Sequence, residues 1–284
     1  MSDIRIVAGD AVAPEDLHAA FRAAFADYLI GPFEVPFEQW PGFFARQAVD
    51  LPLSRVALRD EQVLAFAFVA PRAIGRRWRL GTMGAVPEAR GSGAAPALLD
   101  DFIARAAAAG QSAVELECFA RNERALRLYK GRRFVARHEL VGWTLAEGVP
   151  VPAAVGAAPR EVDRATAFDW LDSAERQVGD LPLQACAQVL SASTRPLRFW
   201  QRGSAQLVWS DTGLGPIQVH SLVDAANTQA DAQALVAAMR ATRPGAAVSI
   251  PAIQRLDLCG AALERLGFER EALHQVLMVR PFER

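Results

Sequence analysis

Asn122-Glu123-Arg124-Ala125-Leu126-Arg127-Leu128-Tyr129 decides how this chain is read, because it joins one of only two asparagines to one of only two tyrosines. Seven residues span close to two helical turns. Both side chains therefore stand on one face of a short helix, Asn122 at its start and the phenol near its end. An asparagine there is a preferred N-cap, and a phenol beside a reacting centre can donate a proton.

Upstream, Val86-Pro-Glu-Ala-Arg90-Gly91-Ser92-Gly93-Ala94-Ala95 leads into Ala97-Leu98-Leu99-Asp-Asp-Phe102-Ile103, whose apolar residues recur at helical spacing. A glycine-bearing loop thus enters a helix. The first amides of a helix lack internal acceptors and carry partial positive charge, and glycines let a diphosphate approach them closely. Arg90 is available as a counter-charge. The loop pattern alone is common by chance, whereas its pairing with the Asn122–Tyr129 motif about thirty residues later is specific.

On these residues the chain resembles the GNAT acyltransferase superfamily. Its acyl-CoA loop, Arg/Gln-x-x-Gly-x-Gly/Ala, matches at Arg90, Gly93 and Ala95. Its following helix, Asn-x-x-Ala-x-x-Leu-Tyr-x-x-x-Gly-Phe, matches at Asn122, Ala125, Leu128, Tyr129 and Phe134. Arg133 stands where the family has glycine, with Gly131 two positions earlier. The resemblance implies an α/β fold with a twisted, mostly antiparallel sheet flanked by helices. It also implies acetyl-CoA as acyl donor and an amine acceptor, a small molecule or a peptide.

The same resemblance implies roles. Tyr129 would protonate the leaving thiolate, and Arg90, Gly91, Ser92, Gly93, Ala94, Ala95 and Asn122 would hold the coenzyme. Its pantetheine arm would add to the strand edge at Met83-Gly84-Ala85, with Gly84 at a strand-separating bulge. Glu115 and Glu117 share one strand face, and Glu117 is the first choice of base, with Asp27, Glu34 and Glu38 as alternatives. A water relay would serve instead of any of them.

Composition bounds the remaining classes. The 284 residues are 51% hydrophobic and 22% charged, enough for a substantial core and more than one minimal domain. With 31 basic and 32 acidic residues, net charge −1, no field favours nucleic acid or an acidic membrane surface. The arginine- and alanine-rich composition, with Lys130 the only lysine, resembles a GC-rich bacterial coding bias. Cys118, Cys186 and Cys259 form neither a disulfide framework nor a zinc pattern, so no metal is expected. The N-terminus lacks a signal-peptide pattern and no apolar run reaches membrane-spanning length, which points to the cytoplasm.

Periodicity predicts a strand at 4–7, helices at 14–28 and 37–49, a hairpin over 55–69 and a strand at 78–86. Helix 97–109, strand 114–119, helix 122–130 and strand 134–145 follow. Eight aromatic residues between Phe21 and Phe44 fit helix packing on the sheet or the wall of an acceptor site. Expected domains are 1–146, catalytic, and 160–284, joined by a Pro/Ala/Gly-rich linker at 147–159.

Residues 113–134 align without gaps on 247–268, keeping the apolar skeleton from Ala113/Ala247 to Phe134/Phe268. Asn122 becomes Leu256 and Tyr129 becomes Leu263. The region around Asp224 has no glycine and carries an acid that would repel a diphosphate. The second half is thus expected to be a degenerate copy that packs, closes an acceptor site or forms a homodimer. Rival readings are a non-catalytic acyl-CoA sensor and a tandem transferase similar to mycothiol synthase.

Overall fold

The computed structural model describes residues 4–29, 31–153 and 156–283. By its internal contacts the chain divides into two units, Met1–Glu117 with Asn122–Val135 and Met278–Arg284, and Cys118–Arg121 with Ala136–Leu277. This division runs differently from a break at 147–159, of which residues 154 and 155 lie outside the described ones.

The first unit begins with β1 (Arg5–Ala8), α1 (Pro14–Phe25) and α2 (Trp40–Arg46). A meander of β2 (Asp50–Arg59), β3 (Gln62–Arg72) and β4 (Arg77–Ala85) follows, then α3 (Ala94–Ala108), β5 (Ala113–Phe119) and α4 (Glu123–Lys130). β1 to β4 pair antiparallel in order, and β5 lies parallel to β4. The observed mixed sheet with flanking helices is the α/β class expected from the sequence. β2 starts earlier than its β-rich run suggests, because an irregularity between Asp50 and Arg55 lets Pro52 sit in the strand without a ladder donor.

Most of the aromatic segment forms core, whereas Phe33 and Phe37 are exposed. Phe21, Phe25, Trp40 and Phe43 are buried with Leu17, Phe66 and Phe68, ring against ring. Burial of such side chains, each stabilising by about 1.5–3 kcal/mol, clamps α1 and α2 on the sheet. His18 is buried with them, its Nε2 2.6 Å from the Val35 carbonyl.

The second unit contains β6 (Val135–Leu145) from Ala136 onward, β7 (Arg160–Glu161), α5 (Arg164–Val178) and α6 (Ala187–Leu190). β8 (Arg198–Arg202), β9 (Ala205–Ser210), β10 (Ile217–Asp224), α7 (Ala230–Thr242), β11 (Val248–Arg255) and α8 (Leu256–Arg265) continue it. β12 (Glu269–Arg270) pairs with β6, and β13 (Gln275–Pro281) ends the chain's regular structure. β7 to β10 are antiparallel, β11 is parallel to β10, and β6 is antiparallel to β11. The last residues return to the first unit, where Phe282 N–H bonds the Ser112 carbonyl and Arg280 Nη1 bonds the Arg132 carbonyl.

The repeat is visible in backbone detail. At the end of α4, the N–H groups of Arg132 and Phe134 bond the Tyr129 carbonyl, and Arg133 N–H bonds that of Lys130. At the end of α8, Leu266 and Phe268 bond Leu263, and Gly267 bonds Glu264, the aligned residues in each case. Gly267 has φ +80°, and Arg133, aligned with it, has φ +63°. A left-handed non-glycine residue costs about 1 kcal/mol. Arg133→Gly is therefore expected to leave stability unchanged or raise it by up to about 0.5 kcal/mol in a denaturant titration, the glycine's extra unfolded entropy offsetting most of the gain. A loss of stability would contradict this account of the helix end.

Candidate acyl-CoA site

Two parallel strands that part company frame the site. β4 and β5 pair from Arg77↔Ala113 to Leu80↔Leu116 and no further. Beyond Leu80, β4 stays paired with β3 only. Val86 N–H bonds the Leu64 carbonyl on the β3 side, so by alternation the N–H groups of Met83 and Ala85 point to the side β5 has left. That edge can accept an added extended chain.

The bulge lies at Gly81, not at Gly84. Leu80 faces Val69 and Thr82 faces Phe68, which leaves Gly81 as the extra residue. Gly84 is regularly paired with Phe66, and a Cβ there would lie 2.7 Å from the Phe66 ring and 3.0 Å from Ala24 Cβ. Its role is to let α1 approach the strand. Both requirements call for glycine, so sequence alone gave no means to tell them apart.

The loop after β4 turns through Pro87–Ala89 and enters α3 at Gly93. Gly91 and Gly93 have φ +86° and +88°, and a Cβ at either would meet nothing within 4 Å. The open space and left-handed backbone fit a loop whose amides face a ligand. Ser92 N–H bonds the Ala89 carbonyl, Ser92 Oγ accepts from Ala94 N–H at 3.3 Å, and Ala97 N–H takes the Gly93 carbonyl. Among the described residues the amides of Gly91, Gly93 and Ala95 have no acceptor within the chain.

Arg90 is not a free counter-charge. Its guanidinium makes a bidentate pair with Asp27, both contacts 2.6 Å, and reaches the Ala24 carbonyl at 3.4 Å. The hydrogen bond from Arg90 holds the Asp27 carboxyl below its ordinary range, and the Arg90 pKa is raised in return. Asp27 is thereby unsuited to act as base, and the pair fastens the loop to the end of α1. Sequence could not show a partner 63 residues away.

Asn122 caps α4 through its side-chain oxygen, which accepts from Ala125 N–H at 3.1 Å. Tyr129 is buried, its ring edge-on to Phe134 at 5.9 Å. Because β4 and β5 are parallel, the loop after β4 and the helix after β5 emerge at the same edge of the first unit, where the strands diverge. The two sequence motifs are thus brought to one end of the sheet.

Glu115 and Glu117 share a face of β5, as their spacing requires, but both are engaged. Glu115 pairs with Arg72 at 2.9 Å and Arg77 at 3.2 Å, and Glu117 with Arg79 at 2.8 Å. The Glu117 and Arg79 side chains are each 3% exposed. Drawing a proton to Glu117 would break a buried pair. Glu117→Gln is expected to lower stability by about 3 kcal/mol, because it breaks a buried ion pair from one side. A variant of unchanged stability that loses turnover selectively would instead point to a catalytic base. Glu34 and Glu38 are exposed.

Cys118, Cys186 and Cys259 are buried thiols, and burial pushes Cys118 and Cys259 up to about 12. Neither can present a thiolate nucleophile near neutral pH. Among the described residues no cluster of three His, Cys, Asp or Glu side chains could hold a metal ion, and no helix is long and apolar enough to cross a membrane.

Residues 15–134 match the Acetyltransferase (GNAT) family. No curated protein matches the chain. Solved structures with the same fold include a GCN5-related N-acetyltransferase from Kribbella flavida, 16% identical, TM-score 0.64, covering 98% of this chain and 72% of that one. One from Sphaerobacter thermophilus is 14% identical, with TM-score 0.62 and coverage of 98% and 95%. One from Anabaena variabilis is 12% identical, with TM-score 0.65 and coverage of 98% and 73%.

Proposed function

Residues 15–134 form an acetyltransferase domain of the GNAT family, and from that premise we propose that the first unit transfers an acetyl group from acetyl-CoA to a primary amine of a small molecule or peptide. The observation that carries the reading is the parting of β4 from β5 after Leu80, beside two left-handed glycines that open onto free space. Acetyl-CoA, when bound, supplies an acyl group activated as a thioester.

The residues divide the work. Amides of Gly91, Gly93 and Ala95 would hold the diphosphate at the positive end of α3. Met83 and Ala85, on the free edge of β4, would hold the pantetheine arm and polarise the carbonyl oxygen. The amine nitrogen forms the new C–N bond, the C–S bond breaks with its electron pair going to sulfur, and Tyr129 gives that sulfur its phenolic proton. The proton shed by nitrogen passes through water and restores the phenol.

An acceptor with a lysine-like pKa of about 10.4 is neutral in only about one molecule in 2,500 at pH 7. With Asp27 and Glu117 both held by arginines, solvent takes the first proton. The three reduced, buried cysteines suit a reducing cytoplasm. The same ion pairs favour a second reading, an acyl-CoA-binding sensor without turnover. A panel of primary amines with acetyl-CoA, followed by free-thiol release, separates them: amine-dependent release supports the transferase, and binding without release supports the sensor.

A further inference from the structure

The second unit repeats the parting of strands found in the first. β10 pairs in parallel with β11 at Ile217↔Val248 and Gln218↔Ser249, after which Pro251 and a register shift take β11 away. On its other side β10 bulges at His220, since Val219 faces Trp209 and Ser221 faces Val208. Aligning 113 with 247 sets Trp78 against Ile217 and Leu80 against Val219, and this places the two bulges, Gly81 and His220, on each other. Leu222 then corresponds to Met83 and Asp224 to Ala85.

The corresponding space is filled from within the chain. Gln254, 2% exposed, accepts from Leu222 N–H through Oε1 at 3.1 Å and donates through Nε2 to the His220 carbonyl at 3.3 Å. One side-chain amide thus bonds both an N–H and a C=O of β10, as an added strand would. The His220 ring, which stands where the first unit has only glycine, lies with Nε2 2.8 Å from Ser210 Oγ.

At the helix end, Asp224 is 1% exposed and its carboxylate accepts from Ala226 N–H at 2.9 Å, Ala232 N–H at 3.0 Å and Ser204 Oγ at 2.7 Å. A carboxylate therefore sits against the positive end of α7, where α3 in the first unit presents unfilled amides. An amide thus bonds the strand edge and an anion the start of the helix, the two kinds of group that a coenzyme's amide and diphosphate would bring there.

We propose that the second unit is a coenzyme-shaped cleft permanently filled by its own side chains, Gln254 standing in for the pantetheine amide and Asp224 for the diphosphate. The chain then takes one acyl-CoA, and the second unit holds its shape without a ligand. What the cleft would otherwise hold rests on the acyl-CoA reading of the first unit.

Two measurements on the full chain test this. Native mass spectrometry with coenzyme A in excess is expected to give one bound molecule per chain. Two would overturn the proposal, whereas none would overturn the reading of the first unit and leave the exchange measurement to judge the plug. Hydrogen exchange needs no ligand: Leu222 N–H should exchange at least tenfold faster in Gln254→Met, which keeps length and loses both hydrogen bonds, than in the wild type. Ala226 and Ala232 should respond in the same way to Asp224→Ser. Leu222 protection unchanged in Gln254→Met, with the β9 amides also unchanged, would overturn the plug.

Discussion

Tyr129→Phe is expected to lower turnover at least tenfold while leaving coenzyme affinity within about twofold of the wild type, the scale of losing one general acid. The ring keeps its edge contact with Phe134, and the carbonyl of residue 129 still closes the helix. The aligned helix end in the second unit provides a natural control. Leu263 is fully buried there and receives the same backbone bonds, so the position folds without a hydroxyl. Steady-state kinetics by thiol release would decide the matter, and unchanged kcat would remove Tyr129 from the chemistry.

Gly93→Asp should weaken acetyl-CoA binding at least a hundredfold while changing the ligand-free melting temperature by only a few degrees. The backbone cost is small, because aspartate is among the residues that tolerate the left-handed region, at about 1 kcal/mol, and a Cβ at Gly93 meets no atom within 4 Å. The ligand cost is large, because a carboxylate about 4 Å from a phosphate opposes it by about 4 kcal/mol at an effective dielectric of 20. A thermal-shift experiment separates the two effects. Wild type should gain several degrees with saturating acetyl-CoA and the variant none. A variant that melts normally and still gains would remove the diphosphate from this loop.

Much of the first unit was legible in the sequence because its signals are local. Apolar periodicity marked α1 and α3, the Asn122–Tyr129 spacing marked α4, and the glycines of the loop stood out in the sequence. The repeat of 113–134 at 247–268 could be read from its apolar skeleton, which persists while most other residues, Asn122 and Tyr129 among them, change. What escaped was long-range pairing. Arg90 with Asp27 and Glu117 with Arg79 join residues far apart in the chain, and no local pattern records which arginine will find which acid. The bulge at Gly81 escaped for another reason, because glycine serves close approach at Gly84 and irregular backbone at Gly81 alike. The return of Met278–Arg284 to the first unit was invisible, since a strand's sequence does not name its neighbour. The acid at Asp224 was legible as a charge unfavourable to a diphosphate, but its helix-end bonds were not, and Gln254 gave no signal of its own until the fold placed its amide against Leu222, the counterpart of Met83.

Every catalytic assignment depends on acyl-CoA binding beside β4, so calorimetric titration of acetyl-CoA into the wild-type chain is the decisive measurement. Saturable binding of one molecule per chain, in the micromolar range, is expected. Absence of binding would contradict the acyl-CoA reading and leave the first unit with the fold but not the function proposed for it.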